Sequence, residues 1–148
     1  VSKGAKIIEK HFTLDNNLNG PDHKFSMNPK TWKDMIVNSG GDNIAPAPIE
    51  QEITLYPEVD QIVVVGDAKP WLSAMICFNP EFATQDPQAL VYEVIKRYNS
   101  NKPSLIQLRK AIVMNEPCSI DNGLLTPTQK IKRPKLIALY REAIDALY

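Results

Sequence analysis

Two apolar runs leave this chain the least conformational freedom. QIVVVG (Gln61 to Gly66) is an uninterrupted β-branched stretch, and WLSAMICF (Trp71 to Phe78) follows it closely. Continuous apolar runs of this kind, without polar alternation, suit buried strands. The GDAKP segment joining them carries Gly, Asp and Pro, residues that turn a chain. The pair therefore reads as a hairpin with a short loop.

The flanking sequence supplies helices and further strands. Asp86 is placed to cap a helix with Pro87 at its first position, and Leu90, Val91, Val94, Ile95 and Tyr98 lie along one face of it. Lys102 and Pro103 break that helix. KAIVMN (Lys110 to Asn115) reads as another strand, and Pro134 opens a last helix with Ile137, Tyr140, Ile144 and Leu147 or Tyr148 facing inward. Upstream, DMIVN (Asp34 to Asn38) is a strand candidate. A Gly40-Gly41 turn follows it, tight enough for something to approach closely. Pro48 is expected to open a helix through Tyr56, with Ile49, Ile53 and Tyr56 on one face, and Pro57 ends it.

The first 29 residues differ in character. KIIEKHFT (Lys6 to Thr13) is a strand candidate with His11 near its end, and LDNNLNGPDHKFS (Leu14 to Ser26) is a polar, turn-rich loop. Asn28 and Pro29 signal a helix start, with Trp32, Met35 and Ile36 expected on one helical face. Taken together, strands and helices interleave around one sheet. The fold class expected is α+β or mixed α/β, with a small mixed sheet of about three to five strands packed by helices and a strand-loop-helix extension in front. No internal repeat or low-complexity tract interrupts it.

Composition bounds the partners. At 148 residues the chain suits one domain of ordinary size. Seventeen basic and seventeen acidic residues cancel, so no global field draws nucleic acid or an anionic membrane. Cys77 and Cys118 are the only cysteines, too few for a disulfide framework, and Cys77 reads as a core hydrophobe. A reducing, cytoplasmic setting is expected. No apolar run approaches the roughly 18 residues of a membrane span, and no signal-peptide pattern opens the sequence. The chain begins at Val1 inside what reads as structure, which suggests a fragment, an alternative start or a trimmed chain.

One stretch carries chemistry. DNGLLTPTQKIKR (Asp121 to Arg133) opens with a turn signal in which Gly123 supplies a positive φ. Thr126, Pro127 and Thr128 stiffen the backbone, and Lys130, Lys132 and Arg133 place three positive charges within four residues. A stiff tip bearing a lysine suits a phosphate or a carboxylate. By itself such a charge run is more often a solvated turn before a helix.

Context changes that balance. KDMIVNSGGDNIAPAPIEQEI (Lys33 to Ile53) and NGLLTPTQKIKR (Asn122 to Arg133), with the strands and terminal helix between and after them, resemble the mobile C-terminal domain of AMP-forming long-chain acyl-CoA synthetases. The resemblance covers residues 33–148. It implies a family reaction in which a carboxylate attacks the α-phosphate of ATP, releasing pyrophosphate and leaving an acyl-adenylate that CoA thiol then attacks after the domain rotates. The family's adenylation lysine falls on Lys130, whose ammonium would stabilise negative charge building on the α-phosphoryl oxygens and the attacking carboxylate. The rotation hinge falls on Lys33 and Asp34, with Asp34 as pivot. Gly40, Gly41 and Asn43 fall on the turn that faces CoA, and Glu50 on a characteristic acidic position of structural character. ATP with Mg and CoA are the cofactors implied, neither expected to bind stably to this chain alone. A Gly-Arg pair that helps bind the ribose in the family is replaced here by Lys30 and Thr31.

Residues 1–32, GAKIIEKHFTLDNNLNGPDHKFSMNPKTW in particular, resemble the last barrel strand and loop of sialic acid synthases, which condense phosphoenolpyruvate with an amino sugar using a metal such as Mn²⁺. That resemblance sets His11 on a metal ligand and Asp22 on a substrate-site carboxylate. A metal site needs several convergent ligands, and the family's others come from earlier strands, so bound Mn is not expected. The expected organisation is a synthase-like piece, 1–32, joined to a synthetase C-terminal domain, 33–148, as a junction of two truncated genes or joined fragments. The expected function is that of an acyl-CoA synthetase lid, inactive alone, whose partner is an adenylation domain in trans. The alternatives are a non-catalytic interaction module and a synthase remnant.

Overall fold

A computed structural model of the chain describes residues 12–21, 23, 26, 28–29, 34–82 and 86–148. Its centre is the expected hairpin. Strand β3 (Val59–Val65) runs antiparallel to β4 (Leu72–Phe78), with Ile62 opposite Ile76 and Val65 opposite Ser73. Residues 66–71 connect them. Strand β5 (Leu108–Val113) lies parallel to β4, with Ala111 beside Ala74, so the sheet is mixed and ordered β3-β4-β5. The parallel step requires a crossover, and helix α2 (Pro87–Asn99) supplies it. The expected α+β class is thus the observed one.

Successive strand side chains point to opposite faces, which explains the unbroken apolar runs. On one face Ile62, Val64, Leu72, Ala74 and Ile76 pack against Ile49 and Ile53 of α1 (Pro46–Ile53) and Val91, Val94 and Tyr98 of α2. On the other face Val63, Val65, Met75 and Cys77 meet Met114, Cys118, Leu124, Leu136 and Ile144. Each fully buried aliphatic side chain of this size contributes roughly 1.5–3 kcal/mol. The second face is therefore closed by the segment after β5 and by two short helices, α3 (Arg133–Leu139) and α4 (Arg141–Asp145). Gln61 ties that segment down, its side chain exchanging hydrogen bonds of 2.7 and 3.0 Å with the backbone N–H and C=O of Cys118.

Several boundaries differ from the sequence reading. Helix α1 starts at Pro46 rather than Pro48. Both prolines suit a first turn, and the start is settled by Pro46, Ile49 and Ile53 being buried together. The last helix is two helices, broken at Tyr140, whose ψ of 16° leaves the helical range. Leu136, fully buried, takes the inward position expected of Ile137, which is 37% exposed. The expected helical face of Met35 and Ile36 is not formed: Ile36 belongs to strand β1 (Ile36–Val37), paired with Ile44 of β2 (Asn43–Ile44). Trp32 and the KIIEKH part of the first strand candidate lie outside the described residues. Among the described residues of the loop that follows, the Asn16 amide donates to the carbonyls of His23 (2.6 Å) and Ser26 (2.7 Å).

Candidate functional site

The segment from Asn122 to Arg133 folds as a small arm. Asn122 accepts from the N–H groups of Ser119 (2.9 Å) and Leu124 (3.1 Å), and Gly123 takes φ +70°, as its place after Asp-Asn suggests. Leu124 is buried in the second core face and pins one end. Leu125 pairs with Ile131 in an antiparallel bridge, the Thr126 N–H donates to the Lys130 carbonyl at 2.8 Å, and the Lys132 N–H donates to the Leu124 carbonyl at 2.8 Å. Within the tip, the Thr126 hydroxyl accepts from the Lys130 N–H at 3.0 Å and lies 3.0 Å from the Thr128 hydroxyl. These bonds are the stiffness expected of Thr126-Pro127-Thr128. Lys130 is exposed beside this tip.

Two features of the arm were not legible in the sequence. Gln129 adopts φ +58°, a region non-glycine residues occupy only where the surroundings hold them there. Its N–H reaches the Thr126 carbonyl at 2.9 Å. The third cation of the cluster, Arg133, also turns inward. It binds both carboxylate oxygens of Glu50 on α1, and one guanidinium nitrogen donates to the Val64 carbonyl at 3.2 Å. Glu50 also accepts from the Val64 N–H at 2.7 Å. The structural character expected of Glu50 now has a definite partner, and the outward charge of the arm comes from lysines.

The Gly40-Gly41 turn closes the β1–β2 hairpin. Asn38 organises it, its side-chain oxygen accepting from the N–H groups of Gly40 and Asp42, each at 2.9 Å. Gly41 has φ +82°, and no atom lies within 4 Å of where a Cβ would stand. Its glycine answers to backbone conformation and leaves an open outer surface. Gly40, Gly41 and Asn43 are all exposed there. The hairpin rides on the β3–β4 connection: Ala68 N–H to Val37 carbonyl is 2.8 Å, Ser39 N–H to Lys69 carbonyl is 2.9 Å, and Asp67 accepts from the Val37 N–H at 3.1 Å.

Asp34 sits in an exposed turn just before β1. It lines a cleft of about 610 Å³ together with Ile36, Arg133, Arg141 and Asp145. The expected pivot and the base of the lysine arm thus border one space, whereas the glycine turn has its own support. Lys33, His11 and Asp22 lie outside the described residues, as do Lys30 and Thr31. No group of three or more His, Cys, Asp or Glu side chains that would hold a metal occurs among the described residues. Cys77 and Cys118 are buried and free, with burial pushing both thiols up from their ordinary range, which suits core residues rather than nucleophiles. No helix among the described residues is long and apolar enough to cross a membrane.

Comparison with known proteins bears on the family and the fold. Over 124 residues the chain is 38% identical to a chloroplast long-chain-fatty-acid–[acyl-carrier-protein] ligase of Arabidopsis thaliana, covering 78% of this chain and 17% of that protein. It is 33% identical over 138 residues to a long-chain-fatty-acid–CoA ligase of Mycobacterium tuberculosis, covering 78% of this chain and 23% of that one. The chain therefore spans about a fifth of the length of these relatives. Among solved structures, the adenylation domain of a carboxylate reductase from Mycobacterium chelonae superposes with a TM-score of 0.70 at 27% identity, over 79% of this chain and 20% of that one. The corresponding domain from Segniliparus rugosus, bound to AMP and a carboxylic acid, gives a TM-score of 0.69 at 26% identity, over 79% of this chain and 20% of that one. Residues 1–42 match the NeuB family. Residues 33–148, which hold the whole sheet, the lysine arm and the glycine turn, match the family model for the AMP-binding enzyme C-terminal domain, and it is to this family that the chain belongs.

Proposed function

We propose that the chain serves as the C-terminal lid of an ATP-dependent ligase that activates long-chain fatty acids, first as an acyl-adenylate and then as a thioester of CoA. The observation that carries the reading is the stiff, exposed arm bearing Lys130, in a chain similar to fatty acid ligases. An ammonium on a preorganised arm stabilises charge developing on a phosphoryl group without reorganising as the reaction proceeds. Lys33 and Asp34 are the proposed hinge. The exposed face of Gly40, Gly41 and Asn43 is the one offered to the thiol arm of CoA, where the two glycines, having no side chains, permit close approach. ATP with Mg would supply the adenylyl group to the carboxylate, with pyrophosphate as the leaving group, and would be held mainly by a larger adenylation domain as the lid's partner. Residues 1–32 are proposed to be a separate, synthase-like piece without a role in this chemistry.

Positioning of ATP and acid requires that larger domain, so the chain alone is proposed to be inactive. The test adds the chain to a synthetase whose own C-terminal domain has been removed, with ATP, CoA and palmitate, and follows pyrophosphate release. Restored release that falls about 10²–10³-fold with Lys130→Ala is the expected result. Restoration by Lys130→Ala equal to that by the unmodified chain would remove Lys130 from the mechanism. Pyrophosphate released by the chain alone, above its Lys130→Ala control, would show that no partner is needed.

A further inference from the structure

We propose that Arg133 and Glu50 are positioning residues for Lys130, forming a strut that ties the lysine arm to the edge of the sheet. The reading rests on the role proposed above for Lys130. Strand β3 is the outermost strand of its sheet, so half of its peptide groups face away from β4. Val64 is one such residue, and both of its groups are taken: the N–H by Glu50 and the C=O by Arg133. The same arginine closes the set by binding both oxygens of Glu50. Helix, strand edge and arm are joined at one point by residues 83 positions apart in the chain.

This junction lies where it can set the position of the lysine. Arg133 directly follows the returning limb of the arm, in which Ile131 bridges to Leu125 and the Lys132 N–H bonds the Leu124 carbonyl. Burial of Leu124 holds the outgoing limb, and the strut holds the returning one. A tip containing a strained Gln129 needs both limbs fixed, because strained backbone persists only where its surroundings over-determine it. The arginine and glutamate side chains are 24% and 16% exposed, so their charge-assisted bonds are partly shielded from water. Lysine is no substitute for the arginine: a single ammonium cannot reach the carboxylate and the Val64 carbonyl in the fork geometry of a guanidinium. The guanidinium already has its partners, so Arg133 acts through the arm and not on the anion that Lys130 meets.

The test is residue-resolved amide hydrogen exchange on the full chain by NMR. It compares the unmodified protein with Glu50→Gln, Arg133→Lys and the double exchange Glu50→Arg with Arg133→Glu. Loss of a charge-assisted bond should raise exchange at the Thr126, Gln129 and Lys132 amides by about tenfold or more in both single variants. The β4 amides of Met75 and Ile76 should stay within about twofold, because they report opening of the core instead of the arm. The charge exchange should recover part of the lost protection. Unchanged arm amides in both single variants would overturn the proposal. So would a parallel rise of arm and β4 amides, the mark of a contact that stabilises the whole fold without positioning the arm. Exchange makes no reference to chemistry, so its failure is separable from failure of the Lys130 role, which the complementation assay reports.

Discussion

Gly66 shows how tightly the turn beneath the glycine hairpin is built. A Cβ at this position would stand 2.9 Å from the Trp71 carbonyl oxygen and 2.9 Å from a Leu72 methyl group, at φ +155°. The carbonyl belongs to the backbone and cannot swing aside. Gly66→Ala is therefore expected to destabilise the chain by about 2–3 kcal/mol, seen as a lower urea midpoint with an unchanged slope. Residue roles fixed by local chemistry were readable in advance: Gly123 and its turn, Asp86 as a cap, Cys77 as a core residue. The role proposed for Lys130 rests on the order of motifs around it. The contacts of Arg133 were not readable, since they are made with Glu50 and Val64 at the sheet edge, and no pattern along the chain shows a bond made there. Gln129 was missed for a similar reason, because nothing in its side chain asks for a positive φ.

Helix α2 carries the crossover that lets β4 and β5 run parallel, so its first turn matters beyond its own length. Asp86 accepts from the N–H groups of Gln88 and Ala89, both at 3.1 Å, satisfying two donors that have no partner within the helix. Asp86→Ala should cost about 1 kcal/mol, measurable as a drop in thermal midpoint, and Asp86→Ser should recover most of it. This element was legible because cap, proline and apolar stripe all agree. The others show where such agreement fails. Two prolines offered α1 two starts, and only the burial of Pro46 chose between them. For the terminal helices, Leu136 and Ile137 are neighbours in the same helix, and burial in the second core face falls on Leu136. Strand β1 was legible as extended chain, but the rival helical pattern through Met35 and Ile36 lost to pairing with β2.

Across the whole molecule, buried acids of one kind set the response to alkali. Burial, with Glu52 nearby, pushes Tyr98 from 10.0 up to about 12, and its hydroxyl donates to the Ile106 carbonyl. Burial also raises Tyr56, Tyr148, Cys77 and Cys118. A group whose value is higher in the folded state lends stability that is complete below its unfolded value and is lost as pH rises through its folded one. Urea midpoints should therefore fall as pH passes the ordinary thiol and tyrosine values of 9.0 and 10.0. Tyr98 alone would contribute about 1.4 kcal/mol per pH unit in its window, and Tyr98→Phe should flatten the curve between pH 10 and about 12. Asp145 acts in the opposite sense at the acid end: the hydrogen bond from Lys69 holds its carboxyl low, so its small contribution is present above 3.8 and fades in stronger acid. The covering of Val64 carries one more consequence. A strand as apolar as VDQIVVV, left with a bare edge, is a template on which strands from other copies can add. By occupying the Val64 peptide groups, Arg133 and Glu50 also deny that stretch of edge to a strand from another copy, so the strut proposed for the lysine arm doubles as a block to self-templating.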